Sequence, residues 1–138
     1  MKHAILLPLI ALSACLPSVQ ERKIGPLIEA LEDVYQWDPG RGAYQSEAYL
    51  QLLRAGEGAL PLLAEAVLDP RPTKIMDRYP KVPTVGDVAF LLALEVSGKT
   101  IEEFRDVGVA RGANPNPIFA LEFQRGARAR ARDQLLGK

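Results

Sequence analysis

Beyond residue 15 the chain has no histidine and no cysteine, because its single His is His3 and its single Cys is Cys15. Ser–His and Cys–His nucleophilic machinery is therefore excluded from the main body. So are zinc sites built on those ligands, and one Cys cannot form an intramolecular disulfide. Acid–base work falls to Asp, Glu, Lys and Tyr. Asp77 and Asp87, with Arg78 and Tyr79, could converge at one end of a bundle. Paired carboxylates about 5–9 Å apart beside a sugar cleft would suit glycoside hydrolysis. The plainer role for Asp87 is to serve the N-terminus of the helix it opens, with Asp77 solvated. Glu102, Glu103 and Asp106 cluster on a short predicted helix, where capping and the helix dipole account for them. No spacing resembles an EF-hand loop. The expectation is no catalytic residue, no metal and no cofactor.

The arginines form the sharpest electrostatic feature. Arg125, Arg128 and Arg132 fall at i, i+3 and i+7 and are predicted to share one helix face, with Arg130 pointing elsewhere. Residues 125–138 carry five basic groups and one acidic group, a net of +4. Residues 16–124 carry 11 basic and 16 acidic groups, a net of −5. Three destinations fit such a tail: pairing with the acidic body and the helix C-terminus, anionic lipid headgroups, or an acidic partner or wall polymer. Nucleic acid is not expected, since the whole chain is neutral and no aromatic residue interleaves the run. Arg125, Arg128 and Arg132, with Arg78 and Tyr79, make the candidate interaction surface. Tyr35, Trp37, Tyr44 and Tyr49 gather near one turn, as binding anchors or as the rim of the core.

The elements that must position these groups are helical. At 138 residues, 48% apolar and 25% charged, the chain is expected to fold as one packed domain. Apolar spacing predicts helices over 24–37, 43–55, 59–68, 85–97, 100–108 and 117–136. Pro26, Pro61 and Pro117 suit first turns. Thr84 with Asp87, and Thr100 with Glu103, have capping-box spacing. Residues 109–116 read as loop, and no useful strand pattern appears. The expected fold is all-α, a compact bundle of about six helices. Residues 69–83 contain four prolines and cannot be helical throughout. They are either a functional loop or an excursion whose Ile75, Met76 and Tyr79 cover the core.

The first fifteen residues, MKHAILLPLIALSAC, read as an address. Lys2 gives a basic start, and the apolar run from Ala4 to Leu12 would rise only about 14 Å as a helix, roughly half a bilayer core. That suits a signal peptide rather than a spanning helix. Leu12-Ser13-Ala14-Cys15 resembles the lipobox of bacterial lipoproteins. The resemblance implies diacylglyceryl attachment at Cys15, cleavage before it, and acylation of the new amine, commonly as palmitate. An ordinary secretory cleavage that leaves a free thiol is the alternative. Leu16 is not the Asp that retains enterobacterial lipoproteins at the inner membrane, so the resemblance implies the periplasmic side of the outer membrane in a Gram-negative host. The expected division is a signal peptide at 1–14, a lipidated Cys and linker at 15–23, and a helical domain at 24–138.

Residues 49–56 (YLQLLRAG), 59–63 (ALPLL) and 68–70 (LDP) look like a HEAT-type repeat, and Thr84–Ala89 is similar to the start of a following unit. With at most two units, the first and last helices would have to act as caps. HEAT repeats are mostly scaffolds for macromolecules, which implies a non-catalytic interaction or adaptor module held to the membrane through Cys15 beside an envelope protein partner. A small carboxylate-based enzyme acting on cell-wall glycan is the alternative.

Overall fold

A capping box between Ser18 and Glu21 starts the first helix at Val19, ahead of the Ile24 start that the apolar stripe predicts. The Ser18 hydroxyl accepts from the Glu21 N–H at 3.1 Å, and the Glu21 carboxylate accepts from the Ser18 N–H at 2.7 Å. Polar capping chemistry therefore sets this boundary. The computed structural model describes residues 18–38, 40, 43–44, 46–75 and 81–138. Cys15, Met76, Asp77, Arg78 and Tyr79 lie outside them.

Helix α1 (Val19–Glu29) runs into a 3-10 turn at Ala30–Asp33. Two short strands, β1 (Trp37–Asp38) and β2 (Ala43–Tyr44), then pair antiparallel. Helix α2 (Glu47–Ala55), capped by the Ser46 hydroxyl, is joined to α3 (Leu60–Ala66) by a single 3-10 turn at Gly56–Ala59. Gly56, at φ +62°, supplies the left-handed backbone that this corner needs. Helix α4 (Val85–Ser97) is buried around most of its circumference, and the Thr84–Asp87 capping box forms at its start.

The fold departs from all-α twice, first at the β1–β2 ladder, which takes the start of the helix expected over 43–55, and again beyond α4. Residues 101–107 form a 3-10 helix that Gly108 ends. Strand β3 (Val109–Arg111) follows, then the one-turn helix α5 (Pro117–Ala120), strand β4 (Leu121–Phe123) and α6 (Ala127–Leu135). Antiparallel pairing sets Val109 opposite Phe123 and Arg111 opposite Leu121. The expected helix over 117–136 is thus three elements. Ile118, Leu121 and Phe123 fit a helical stripe loosely, but Leu121 and Phe123 also alternate as a strand does, and the ladder with β3 uses that second period. The described residues are mostly helical, with two small two-stranded ladders.

The core gathers around α4. Phe90 meets Phe104 and Phe123 edge to face, with centroids 5.2 and 5.3 Å apart. Tyr44 and Tyr49 form a second T-shaped pair at 5.4 Å and are buried, so both serve as core. Helix α6 turns Ala127, Ala131 and Leu135 inward, and its small residues allow close approach to α3.

Candidate functional site

The charged groups converge at the start of α4. Asp87 has no exposed surface. One of its carboxylate oxygens accepts from the Thr84 N–H at 2.9 Å, and the other accepts from the Arg128 guanidinium at 2.5 Å. Arg128 also donates to the Val67 carbonyl at 3.3 Å and lies over the Phe123 ring, 4.0 Å from its centroid. Four separate segments are therefore tied by one side chain: the end of α3, the start of α4, β4 and α6. Gly86 makes this approach possible. Its N–H donates to the Asp69 carbonyl at 3.0 Å, and a Cβ there would collide with the Val67 carbonyl.

A second junction adjoins it. Arg71 donates from Nε to Asp69 Oδ1 at 3.1 Å and from Nη2 to Asp69 Oδ2 at 2.8 Å, and reaches Glu29 at 2.9 Å and Glu32 at 3.4 Å. The hydrogen bond from Arg71 is the main reason the Asp69 carboxyl is held below its ordinary range. Lys74 pairs with Asp33 close by. The stems of the Pro-rich segment are zipped together: Thr73 donates its N–H (2.9 Å) and hydroxyl (2.8 Å) to the Pro83 carbonyl, and the Val85 N–H donates to that of Arg71 at 2.8 Å. Ile75 is buried. Residues 69–75 and 81–83 are thus a packed excursion, while Arg78 and Tyr79 lie outside the described residues.

Arg128 and Arg132, four apart in α6, share a helix face, but Arg125 does not join it. Arg125 sits in the turn before α6, exposed, and Gly126 at φ +74° separates it from the helix. Arg128 is engaged by Asp87. Arg130 donates to the Val107 and Arg125 carbonyls, at 3.1 and 3.2 Å. Arg132 pairs with Asp133 at 2.9 Å and with Glu65 at 3.9 Å. Left-handed backbone at Gly126 breaks the 3.6-residue register on which the one-face expectation depended. Glu103 caps the 3-10 helix from Thr100, and Glu102 accepts from Arg111 at 3.0 Å, which holds its carboxyl low.

A cleft of about 260 Å³ opens between α2 and the C-terminal half of α4, lined by Tyr49, Leu53, Leu91 and Leu94 with Lys99 and Arg111 at its edge. Sequence reasoning missed this cleft and the Arg71 junction, because both assemble residues far apart in the chain. The Asp69-Pro70-Arg71 turn, where the Arg71 N–H also donates to Asp69 at 3.0 Å, was the available local signal for the second. Among the described residues, no group of three or more Asp, Glu, His or Cys side chains could hold a metal ion, and no helix is long and apolar enough to cross a membrane. No protein-family model, no curated protein and no solved structure matches the chain at a significant level.

Proposed function

We propose that the chain is a lipid-anchored envelope protein whose helical domain is a non-catalytic interaction or adaptor module. The observation that carries this reading is the order of features at the N-terminus: Lys2, the apolar run Ala4–Leu12, and Leu12-Ser13-Ala14-Cys15. Each buried methylene contributes about 0.8 kcal/mol and one acyl chain holds only marginally, so two or three chains on Cys15 make a stable tether. By the same resemblance the address is the periplasmic side of the outer membrane in a Gram-negative host.

The use of charge supports the adaptor reading. Asp87, Arg128 and Arg71 are spent on joining segments, while Arg125 is left at the surface. The proposed partner surface is the Arg125 turn with the partly exposed Arg128 and Arg132, and Arg78 and Tyr79 join it on sequence grounds. We read α2, the 56–59 turn and α3 as a HEAT-like hairpin, supported by Pro61 in the first turn of α3 and by Asp69-Pro70 beyond its end.

Two measurements test the proposal. Cys15→Ala in the full chain should move the protein from the membrane fraction to the soluble fraction; retention in the membrane overturns the tether. Crosslinking in the native envelope should lose its partner band on Arg125→Glu; an unchanged band overturns the assigned surface.

A further inference from the structure

We infer that the domain stands on the bilayer by one defined pole, formed by the start of α1, the 56–59 turn and the end of α4, with the arginine-bearing turn directed away from the lipid. The inference rests on the lipid-anchor reading of Cys15 and adds an orientation to it.

The tether is short. Because the Ser18 capping box starts α1 at Val19, only four residue steps separate Cys15 from the helix, and these span at most about 14 Å. The start of α1 is therefore held at the membrane face.

Helix directions decide what accompanies it. Gly25 and Ile28 of α1 border the same groove as Leu62 and Ala66 of α3, and Glu29 reaches Arg71 beyond the end of α3. Helices α1 and α3 thus run the same way, and α1 packs on the 56–59 turn that precedes α3. Helix α4 begins where α3 ends, through Gly86 and the Asp69 carbonyl, and also packs on the 56–59 turn. It therefore runs opposite to α3, and its end, followed by Lys99, returns to the pole where α1 starts. The thirteen residues of α4 separate its two ends by about 20 Å. Asp87, Arg128 and the Arg125 turn belong to the far end.

The exposed groups agree with this orientation. The near pole presents Val19, 64% exposed, with the exposed cations Arg22, Lys23, Arg54 and Lys99 and the exposed carboxylates Glu21, Glu57 and Glu95. The far pole holds five carboxylates, Glu29, Glu32, Asp33, Asp69 and the buried Asp87, against four cations, Arg71, Lys74, Arg125 and Arg128. The near pole thus has one cation in excess and the far pole one carboxylate, a small difference that favours the near pole at anionic headgroups.

The test uses the full lipidated chain, in which an introduced Cys is the only free thiol. A fluorophore is placed on Glu57→Cys at the near pole or on Arg125→Cys at the far pole, both exposed positions. The protein is reconstituted in phosphatidylethanolamine–phosphatidylglycerol vesicles carrying a headgroup nitroxide quencher. Loss of fluorescence at position 57 but not at 125 is expected. Lys23→Cys in the first half of α1 against Glu32→Cys in the 3-10 turn that follows it repeats the comparison should either first variant misfold. Equal quenching at both poles, quenching at neither, or quenching only at the far pole overturns the orientation. Co-flotation with the vesicles is read on the same samples. Protein that floats with the wrong quenching pattern overturns the orientation alone; protein that does not float overturns the anchor as well.

Discussion

Asp87 and Arg128 are 41 positions apart, and neither can lose its partner cheaply. Asp87 is fully buried, and removing one member of such a pair leaves an uncompensated charge. Arg128→Ala is expected to cost about 3 kcal/mol, whereas Arg125→Ala should stay within about 0.5 kcal/mol. Urea unfolding of the two variants measures the difference, and equal losses would show that Arg128 is a solvated surface residue. Titration gives a second prediction at this scale. Burial, with the Glu95 charge second, pushes the Tyr49 phenol up to about 12, and burial pushes Tyr44 higher still. Both phenols favour the neutral form when folded. Their stabilisation is fully present below the ordinary value of 10.0 and is lost as pH rises from there through their folded values. Asp69 behaves oppositely. Its stabilisation is present above the ordinary carboxylate range and is lost as pH falls through its lowered value. Thermal melts across pH should show an alkaline limb flattened by Tyr49→Phe and an acid limb flattened by Asp69→Asn.

At the scale of elements, the segment 117–136 separates two descriptions sharply. In a continuous helix Gly126→Ala would stabilise by about 1 kcal/mol, since Gly is the poorer helix former. At φ +74°, with the Arg130 guanidinium 2.8 Å from where a Cβ would sit, it should instead destabilise by about 1–2 kcal/mol. Chemical denaturation reads the sign directly. Removing the cap with Thr84→Ala should cost about 1 kcal/mol and raise amide exchange in the first turn of α4. These elements differ in how much local chemistry announces them. Thr84 and Asp87 cap within four residues of chain, so α4 was legible to its ends. Leu121 and Phe123 satisfy two periods at once, and only their neighbours in β3 choose between them. Tertiary pairing overrides a short, ambiguous pattern.

Taken as a whole molecule, the chain hides a charge division that the fold largely cancels. The C-terminal +4 is not a separate arm. Arg128 answers Asp87, Arg132 answers Glu65, and Arg130 closes the 101–107 turn through the Val107 carbonyl. Removing residues 125–138 would strip Ala127, Ala131 and Leu135 from the core and leave Asp87 without its cation. The truncated chain is expected to lose cooperative thermal unfolding; a sharp melt near the parent temperature would restore the picture of a solvated tail. The proposed partner surface accordingly centres on the exposed Arg125 turn, with Arg128 and Arg132 only partly exposed beside it.

By itself the sequence determined the absence of His and Cys beyond residue 15, the lipobox-like order at the N-terminus, the helical character, and those helix ends where a capping residue or glycine acts within one turn. Such properties depend on composition or on contacts a few residues apart. Tertiary structure alone decided that Asp87 and Arg128 are one buried unit, that Arg71 gathers Asp69, Glu29 and Glu32, and that 117–136 breaks into helix, strand and helix. Each of those outcomes joins residues tens of positions apart or depends on a partner strand. Burial and pairing energies there outweigh local preference, which is all that spacing along the chain records.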